Sequence, residues 1–127
     1  MTTAQLLEFK KIIESAAPTD RKPDKQTRKL LLYLFTGTRG GYTRLKIIMK
    51  LLERPYNTHQ LSKELELDYK AIQHNVRVLI KNNLVTKGGE KYGAIFHLSN
   101  FLEINIRALD EAIEKLDRKL NSKKVYL

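Results

Sequence analysis

The sequence contains no cysteine, and this absence excludes several kinds of site. Disulfide bonds, thiolate metal ligands and cysteine nucleophiles all require a residue that the chain lacks. Long hydrophobic runs are also missing, since the longest, Leu30–Phe35, is far shorter than the roughly 20 apolar residues that span a bilayer. Lys10 and Lys11 interrupt the apolar positions near the start, where a signal peptide would be continuously apolar. The sequence therefore predicts an intracellular, cytoplasmic protein without a membrane segment.

Acidic residues are scarce relative to basic ones, 14 against 24, which gives a net charge of +10. The excess is concentrated in residues 21–50, which hold nine basic residues and a single acidic one, Asp24. Localised positive charge is typical of a polyanion-binding protein, whose partner is either nucleic acid or a membrane surface. A lysine-rich surface that contacts only water explains the same charge. The 127 residues suffice for one domain with a modest core and a small extension.

Residues 1–28 are predicted to form an N-terminal helix and a basic linker. Leu6, Phe9 and Ile13 recur at helical spacing within residues 3–15, behind a threonine cap. Residues 17–28 include two prolines and several basic side chains, a composition typical of an exposed linker. This basic segment either contacts phosphates or is simply solvated. The "KLLLYLF" run (29–35) is apolar on all sides, so it predicts a buried element, with a helix slightly favoured over a strand.

The centre of the chain carries the signals of a helix-turn-helix. A helix is predicted over 43–53, before Pro55. The next helix has a capping-box arrangement, with Asn57 as the cap and Gln60 three residues later. The "ELD" stretch breaks the pattern, and its last residue, Asp68, is placed to cap a second helix. Two short helices joined by about three residues make a helix-turn-helix.

After this second helix the hydrophobic period changes from helical to alternating. Residues 84–87 and 94–98 are predicted to be strands, joined by the glycine-containing loop 88–93. Leu84 and Thr86 of the first strand, with Ala94, Phe96 and Leu98 of the second, are assigned to the buried face that covers the helices, and the other face contacts water. Helix, helix-turn-helix and hairpin in this order predict a winged helix-turn-helix domain over 29–99, mostly α with a small β-hairpin.

Residues 100–127 are predicted to form a helix that joins two copies of the chain. Asn100 and Glu103 have the spacing of a second capping box. The apolar residues that follow are spaced alternately by four and three positions, the a/d repeat of a coiled coil. This narrow seam beneath a polar outer face favours pairing with a second chain over docking within one chain. The predicted dimerisation residues are Leu102, Ile106, Leu109, Ile113, Leu116 and Leu120.

The second helix of the helix-turn-helix, predicted over 69–82, has an unusual polar face. Ile72, Val76 and Leu79 cluster on one side of a helical wheel, and the opposite side carries no acidic residue. A helix in the DNA major groove requires this composition, because acids repel phosphates whereas basic and amide side chains donate hydrogen bonds. An ordinary solvated face has the same pattern. The predicted DNA-binding residues are Tyr69, Lys70, Gln73, His74, Arg77 and Lys81 of this helix, with Lys87 and Lys91 of the wing.

The residues from 38 to 87, "TRGGYTRLKIIMKLLERPYNTHQLSKELELDYKAIQHNVRVLIKNNLVTK", resemble the archaeal ArsR-type winged helix-turn-helix transcriptional regulators. The motifs that carry the resemblance are Thr38–Gly41, Thr43–Leu45, Asn57–Leu61, Leu67–Lys70, His74 and "NNLV" at 82–85. The resemblance implies that Tyr69, Lys70, Gln73, His74 and Arg77 occupy recognition-helix positions. Metal-sensing members of the wider family bind metal through cysteine thiolates, so the absence of cysteine argues against that mechanism of release here.

Other functions receive less support from the sequence. His59, His74 and His97 lack metal-ligand spacing, and no phosphate-binding glycine motif precedes a Lys-Ser/Thr pair, so we expect neither an enzyme nor a cofactor. A winged helix that binds protein, RNA binding and a nonspecific chromatin-type protein remain as alternatives. The last is disfavoured by Gln73, His74 and Asn75, which are suited to reading bases. We expect duplex DNA and a second copy of the chain as partners, with no evident small-molecule effector.

Overall fold

The computed structural model describes residues 2–16, 23–89 and 94–125, with side chains described as far as 121. The chain divides into two units. Residues 1–42 and 104–127 form what we call the terminal unit, and residues 43–103 form the central unit. In the described ranges, every helix is too short or too polar to cross a membrane.

The terminal unit begins with α1 (Thr3–Ala16), which confirms the predicted N-terminal helix. Thr2 caps it, because its Oγ1 accepts a hydrogen bond from the Gln5 N–H at 3.1 Å. The Gln5 side chain reciprocates by accepting from the Thr2 N–H at 3.0 Å. Leu6 and Ile13 are buried, as their helical spacing predicts.

The second helix, α2 (Lys25–Leu32), begins inside the segment that the sequence predicts to be a linker. Asp24 is its N-cap, and its Oδ1 accepts a hydrogen bond from the Thr27 N–H at 2.7 Å. The linker prediction is therefore wrong from residue 25 onward, because an acidic N-cap starts a helix there. Residues 17–22 lie outside the described part of the chain.

A five-residue π-helical turn, Tyr33–Gly37, continues α2. The helical prediction for residues 29–35 is thus confirmed, but burial on all sides is not. Leu31, Leu34 and Phe35 are buried, whereas Tyr33 is 60% exposed. One side of the run, at Tyr33, therefore faces solvent.

The C-terminal segment is divided into α6 (Asn100–Ile104) and α7 (Ala108–Val125), so the prediction of one continuous heptad helix is wrong. In the turn between them, the N–H groups of residues 108, 109 and 110 bond to carbonyls three residues earlier. These bonds belong to the tighter 3₁₀ geometry. Ser99 rather than Asn100 caps α6, because the Ser99 Oγ accepts from the Leu102 N–H at 3.0 Å.

The heptad residues, which we call the heptad seam, pack against other helices of the same chain. α1 and α2 both pack against α7 in the terminal unit. Leu120 is half-buried. The seam therefore builds the core of one chain, and it is not the open apolar stripe that the sequence suggests. The other five predicted dimerisation residues are buried: Leu102, Ile106, Leu109, Ile113 and Leu116.

Ion pairs tie the outer side of α7 to the other two helices of the terminal unit. The Lys10 Nζ lies 2.7 Å from the Glu114 Oε1. Arg28 donates through Nε and Nη2 to the two carboxylate oxygens of Glu111, each at 2.6 Å. This hydrogen bonding lowers the pKa of the Glu111 carboxyl. Arg28, a member of the basic segment, is thereby engaged with an acidic side chain of the protein itself.

The central unit contains three helices, α3 (Gly41–Glu53), α4 (Thr58–Leu65) and α5 (Tyr69–Lys81). The first two residues of α3 belong to the terminal unit, because the central unit begins at Thr43. The predicted capping box of α4 is confirmed. The Asn57 side chain accepts from the Gln60 N–H at 2.7 Å, and the Gln60 side chain accepts from the Asn57 N–H at 2.9 Å. Asp68 occupies the N-cap position of α5, as predicted, but its side chain makes no capping hydrogen bond.

These two N-cap positions give a matched test. Replacing Asn57 by alanine is expected to lower the free energy of unfolding by about 1 kcal/mol, because the hydrogen bond that its side chain accepts from the Gln60 N–H is lost. Asp68→Ala should cost less, since only the interaction of its charge with the helix dipole is removed. Urea unfolding followed by circular dichroism measures both. Equal losses would contradict the difference in capping.

The hairpin consists of β1 (Val85–Gly88) and β2 (Ile95–Leu98), paired antiparallel. Val85 lies opposite Leu98, and Lys87 lies opposite Phe96. The assignment of Leu84 and Thr86 to the buried face of the first strand is wrong by one position. Leu84 precedes the strand, and its N–H donates a hydrogen bond to the Leu79 carbonyl at 2.9 Å. It is therefore buried at the end of α5 and is not part of the strand. Thr86 is exposed.

A short bridge anchors this hairpin to the segment before α4. The Tyr56 N–H bonds to the Phe96 carbonyl at 3.2 Å, and the Phe96 N–H bonds to the Tyr56 carbonyl at 2.8 Å. Both side chains are buried. Backbone pairing thus fixes β2 beside the helix-turn-helix.

Candidate nucleic-acid interface

The outer face of α5 is exposed and carries no acidic side chain. Between Tyr69 and Lys81 the helix contains no aspartate or glutamate. Gln73 is half-buried. The structure thus brings the six predicted helix residues together on one helix, five of them well exposed: Tyr69, Lys70, His74, Arg77 and Lys81.

Apolar packing on the opposite side orients this face outward. Ile72, Val76 and Leu79 are each no more than 2% exposed. α4 and β1 pack against α5 within the central unit. Because residues on one side of a helix recur every three or four positions, burying these three directs the basic residues to solvent.

Asn75 does not belong to the exposed face. Its side chain is 6% exposed, so its assignment as a base-reading residue is wrong. The Asn75 Oδ1 accepts a hydrogen bond from the Arg44 Nη1 at 2.8 Å, and its Nδ2 donates to the Ala71 carbonyl at 2.8 Å. Arg44 is itself 3% exposed. The sequence gives no sign of this contact, although Arg44 lies within the Thr43–Leu45 motif.

Two acidic residues border the N-terminal end of this face. Glu66 and Asp68 are both exposed, immediately before α5. Glu66 adopts the left-handed conformation that ends α4, with a φ of 53°. Negative charge here repels phosphates, so the part of α5 suited to a polyanion begins at Tyr69 and extends toward Lys81.

The wing is described only in part. Lys87 is exposed in β1, opposite Phe96. Lys91 and the rest of residues 90–93 lie outside the described residues. On the outer face of the hairpin, Thr86 Oγ1 and His97 Nδ1 lie 3.1 Å apart. One of the two predicted wing contacts is therefore placed on the surface of the central unit.

The described residues contain no cluster of three or more His, Asp or Glu side chains that could hold a metal ion. His59, His74 and His97 lie on α4, α5 and β2 respectively, all three exposed. The arrangement of the central unit is suited to contact with a large anionic surface through α5.

A helix-turn-helix followed by an antiparallel hairpin defines a winged helix-turn-helix domain. The family model described as "Bacterial regulatory protein, arsR family" matches residues 42–87, which extend from the first turn of α3 to β1. Over these residues the chain is similar to the helix-turn-helix domain of that family. Among solved structures, reduced HlyU from Vibrio cholerae N16961 is similar, with a TM-score of 0.52 and 23% identity. The match covers 72% of this chain and 90% of HlyU, and it shows a shared fold. No curated protein matches the chain significantly.

Proposed function

We propose that this protein is a homodimeric transcriptional regulator of the archaeal ArsR type that binds duplex DNA in the cytoplasm, associated with the nucleoid. α5 lies in the major groove, and the wing (88–93) contacts the adjacent backbone or minor groove. The observation that carries the proposal is the exposed face of α5, which includes Lys70, Arg77 and Lys81 and no acidic residue. Such a face attracts phosphates and offers hydrogen-bond donors to base edges.

Within this proposal the side chains of α5 and the wing have two roles. Gln73, His74 and Arg77 read bases, because amide, imidazole and guanidinium groups pair with base edges in the major groove. Tyr69 begins the helix, is 46% exposed and lies beside these residues in the proposed interface. The remaining side chains contact phosphates, which position the protein without reading sequence: Lys70, Lys81, Lys87 and Lys91.

The first test compares nucleic acids of matched sequence. Fluorescence anisotropy is measured with a random-sequence DNA duplex and with the RNA duplex of the same sequence, over a range of salt concentrations. The proposal predicts steep salt dependence and tighter binding to DNA, because the deep, narrow major groove of A-form RNA does not admit a helix. Negligible binding to DNA at low salt would contradict it and favour a protein-interaction module. Tighter binding to RNA would indicate an RNA-binding protein.

We also propose that two chains pair through the α6–α7 segment, with α1 joining the same interface. Two recognition helices then meet half-sites about one DNA turn, or 34 Å, apart. The heptad residues contribute by holding α7 in place, because most of them are buried within their own chain. Leu7 is 53% exposed and Tyr33 is 60% exposed in the terminal unit, and both provide apolar surface for a partner.

Sedimentation velocity tests the dimer. The wild-type protein is expected to sediment as a dimer, and Leu7→Glu is expected to shift the equilibrium toward the monomer, because a charge opposes burial of this surface. Ile95→Glu is the matched control, since Ile95 is an exposed apolar residue of the central unit. A monomeric wild-type protein at the concentrations that bind DNA would contradict the proposal.

A further inference from the structure

The buried side of α5 contains a single polar residue. Ile72, Val76 and Leu79 are apolar and buried, and Asn75 is the one buried polar side chain between residues 69 and 81. Apolar contacts lower the free energy in proportion to area and have little directional preference. Three aliphatic side chains therefore hold α5 against the core without strictly fixing its rotation about its own axis.

A hydrogen bond from α3 supplies the directional contact. The Arg44 Nη1 donates to the Asn75 Oδ1 at 2.8 Å, and both residues are almost fully buried. The Asn75 Nδ2 donates to the Ala71 carbonyl at 2.8 Å, which holds the amide against the backbone of its own helix. Arg44 thus donates to the Asn75 side-chain amide, whose orientation is fixed relative to α5.

The rotation of α5 determines which atoms a DNA groove meets. With side chains extending to a radius of about 5–6 Å, a rotation of about 20° moves their ends by about 2 Å. A hydrogen bond to a base edge does not survive a shift of that size, because its donor and acceptor must lie about 2.7–3.2 Å apart. Phosphate contacts tolerate it better, since long lysine side chains readjust and their attraction is electrostatic.

We propose that Arg44 is a positioning residue for sequence reading, which fixes the rotation of α5 through Asn75 and so aligns Gln73, His74 and Arg77 with base edges. This inference rests on the proposed function of α5 as the recognition helix. It adds a residue that does not itself touch DNA, since Arg44 is 3% exposed.

Specificity and stability respond differently to loss of this pair. Removing one partner leaves the other buried and deprived of this hydrogen bond, which destabilises the fold. Replacing both by apolar residues leaves neither member buried without the other, and buried polar groups exchanged in this way have left proteins folded. The double replacement thus separates the two effects, because it restores apolar packing without restoring the directional contact.

The experiment uses the full chain and four variants: Arg44→Met, Asn75→Leu, the double variant and Arg44→Lys. Kd is measured for the genomic duplex that the wild-type protein selects and for a random duplex, and urea unfolding gives stability. We expect the double variant to be more stable than either single replacement. Its preference for the selected duplex should fall about tenfold, the order of one base-edge contact. Arg44→Lys, which keeps a charged donor, should retain part of the preference.

Val76→Ala is the control, because it destabilises the same buried side of α5 by apolar truncation. It should keep the wild-type preference under conditions where it is folded. Random-duplex binding and its salt dependence should stay near the wild-type values in the double variant. A double variant that keeps the full preference would overturn the positioning role and leave the proposed function intact. A wild-type protein that prefers no duplex would instead contradict sequence-specific regulation, and with it this inference.

Discussion

Replacing Gly41 by alanine is expected to lower the free energy of unfolding by about 3 kcal/mol, a large share of the roughly 5–15 kcal/mol that stabilises a domain. A Cβ at this position would lie 2.3 Å from the carbonyl oxygen of Phe35 and 2.6 Å from its carbonyl carbon. Both atoms belong to the backbone, and the Phe35 side chain is fully buried. The clash therefore cannot be relieved by rotating a side chain, and the start of α3 must move.

Gly37→Ala provides the matched control for this prediction. Its nearest neighbour would be Tyr33 Cδ2 at 3.4 Å, which belongs to an exposed side chain that is free to adjust. We expect little change, or a gain of about 0.5 kcal/mol, because alanine restricts the unfolded chain. Urea unfolding of both variants by circular dichroism measures the difference. Similar stabilities for Gly41→Ala and wild type would show that α3 does not approach Phe35 this closely.

Replacing Arg77 or His74 by alanine is expected to weaken binding to a preferred site by about 1–3 kcal/mol and to reduce the preference itself. Both side chains are exposed on the acid-free face of α5, one helical turn apart. In the proposed complex they donate to base edges, so their loss affects the preferred duplex more than a random one. Anisotropy titrations with the two duplexes measure this difference directly.

Lys87→Ala and Lys91→Ala supply the contrast. Because both lysines contact phosphates in the proposed complex, each substitution should weaken binding to every duplex alike. Each should also lower the slope of log Kd against log salt by about one. Arg77→Ala should change the preference, whereas the lysine variants should change mainly the slope of log Kd against log salt. The division between base-reading and phosphate-contacting residues would be wrong if all four variants lost affinity equally for both duplexes.

The elements that the sequence predicts correctly are those determined by neighbouring residues. The capping box of Asn57 and Gln60 acts over three residues, and it marks the start of α4 at the observed position. The helical spacing of Ile72, Val76 and Leu79 likewise identifies the buried side of α5, since periodicity along one helix is a local property. The outward basic face follows directly from that spacing.

The elements that the sequence missed depend on contacts between distant segments. Asn75 appears polar and available in the sequence, but Arg44, 31 positions away, accounts for its burial. The packing of the heptad residues within their own chain also escapes the sequence, because no sequence pattern shows that α1 and α2 cover α7. The face assigned to β1 is wrong because Leu84 precedes the strand, at the end of α5, so that the strand alternation begins at Val85.

The central claim is that two copies of the exposed face of α5 read a particular DNA sequence. Its most direct test is selection of genomic fragments by the wild-type protein, followed by footprinting of the tightest fragment. We expect one strongly preferred fragment, with two protected half-sites about one helical turn apart and of related sequence. Uniform protection of all fragments, with steep salt dependence and no preferred site, would contradict sequence reading and indicate an architectural protein that binds the DNA backbone.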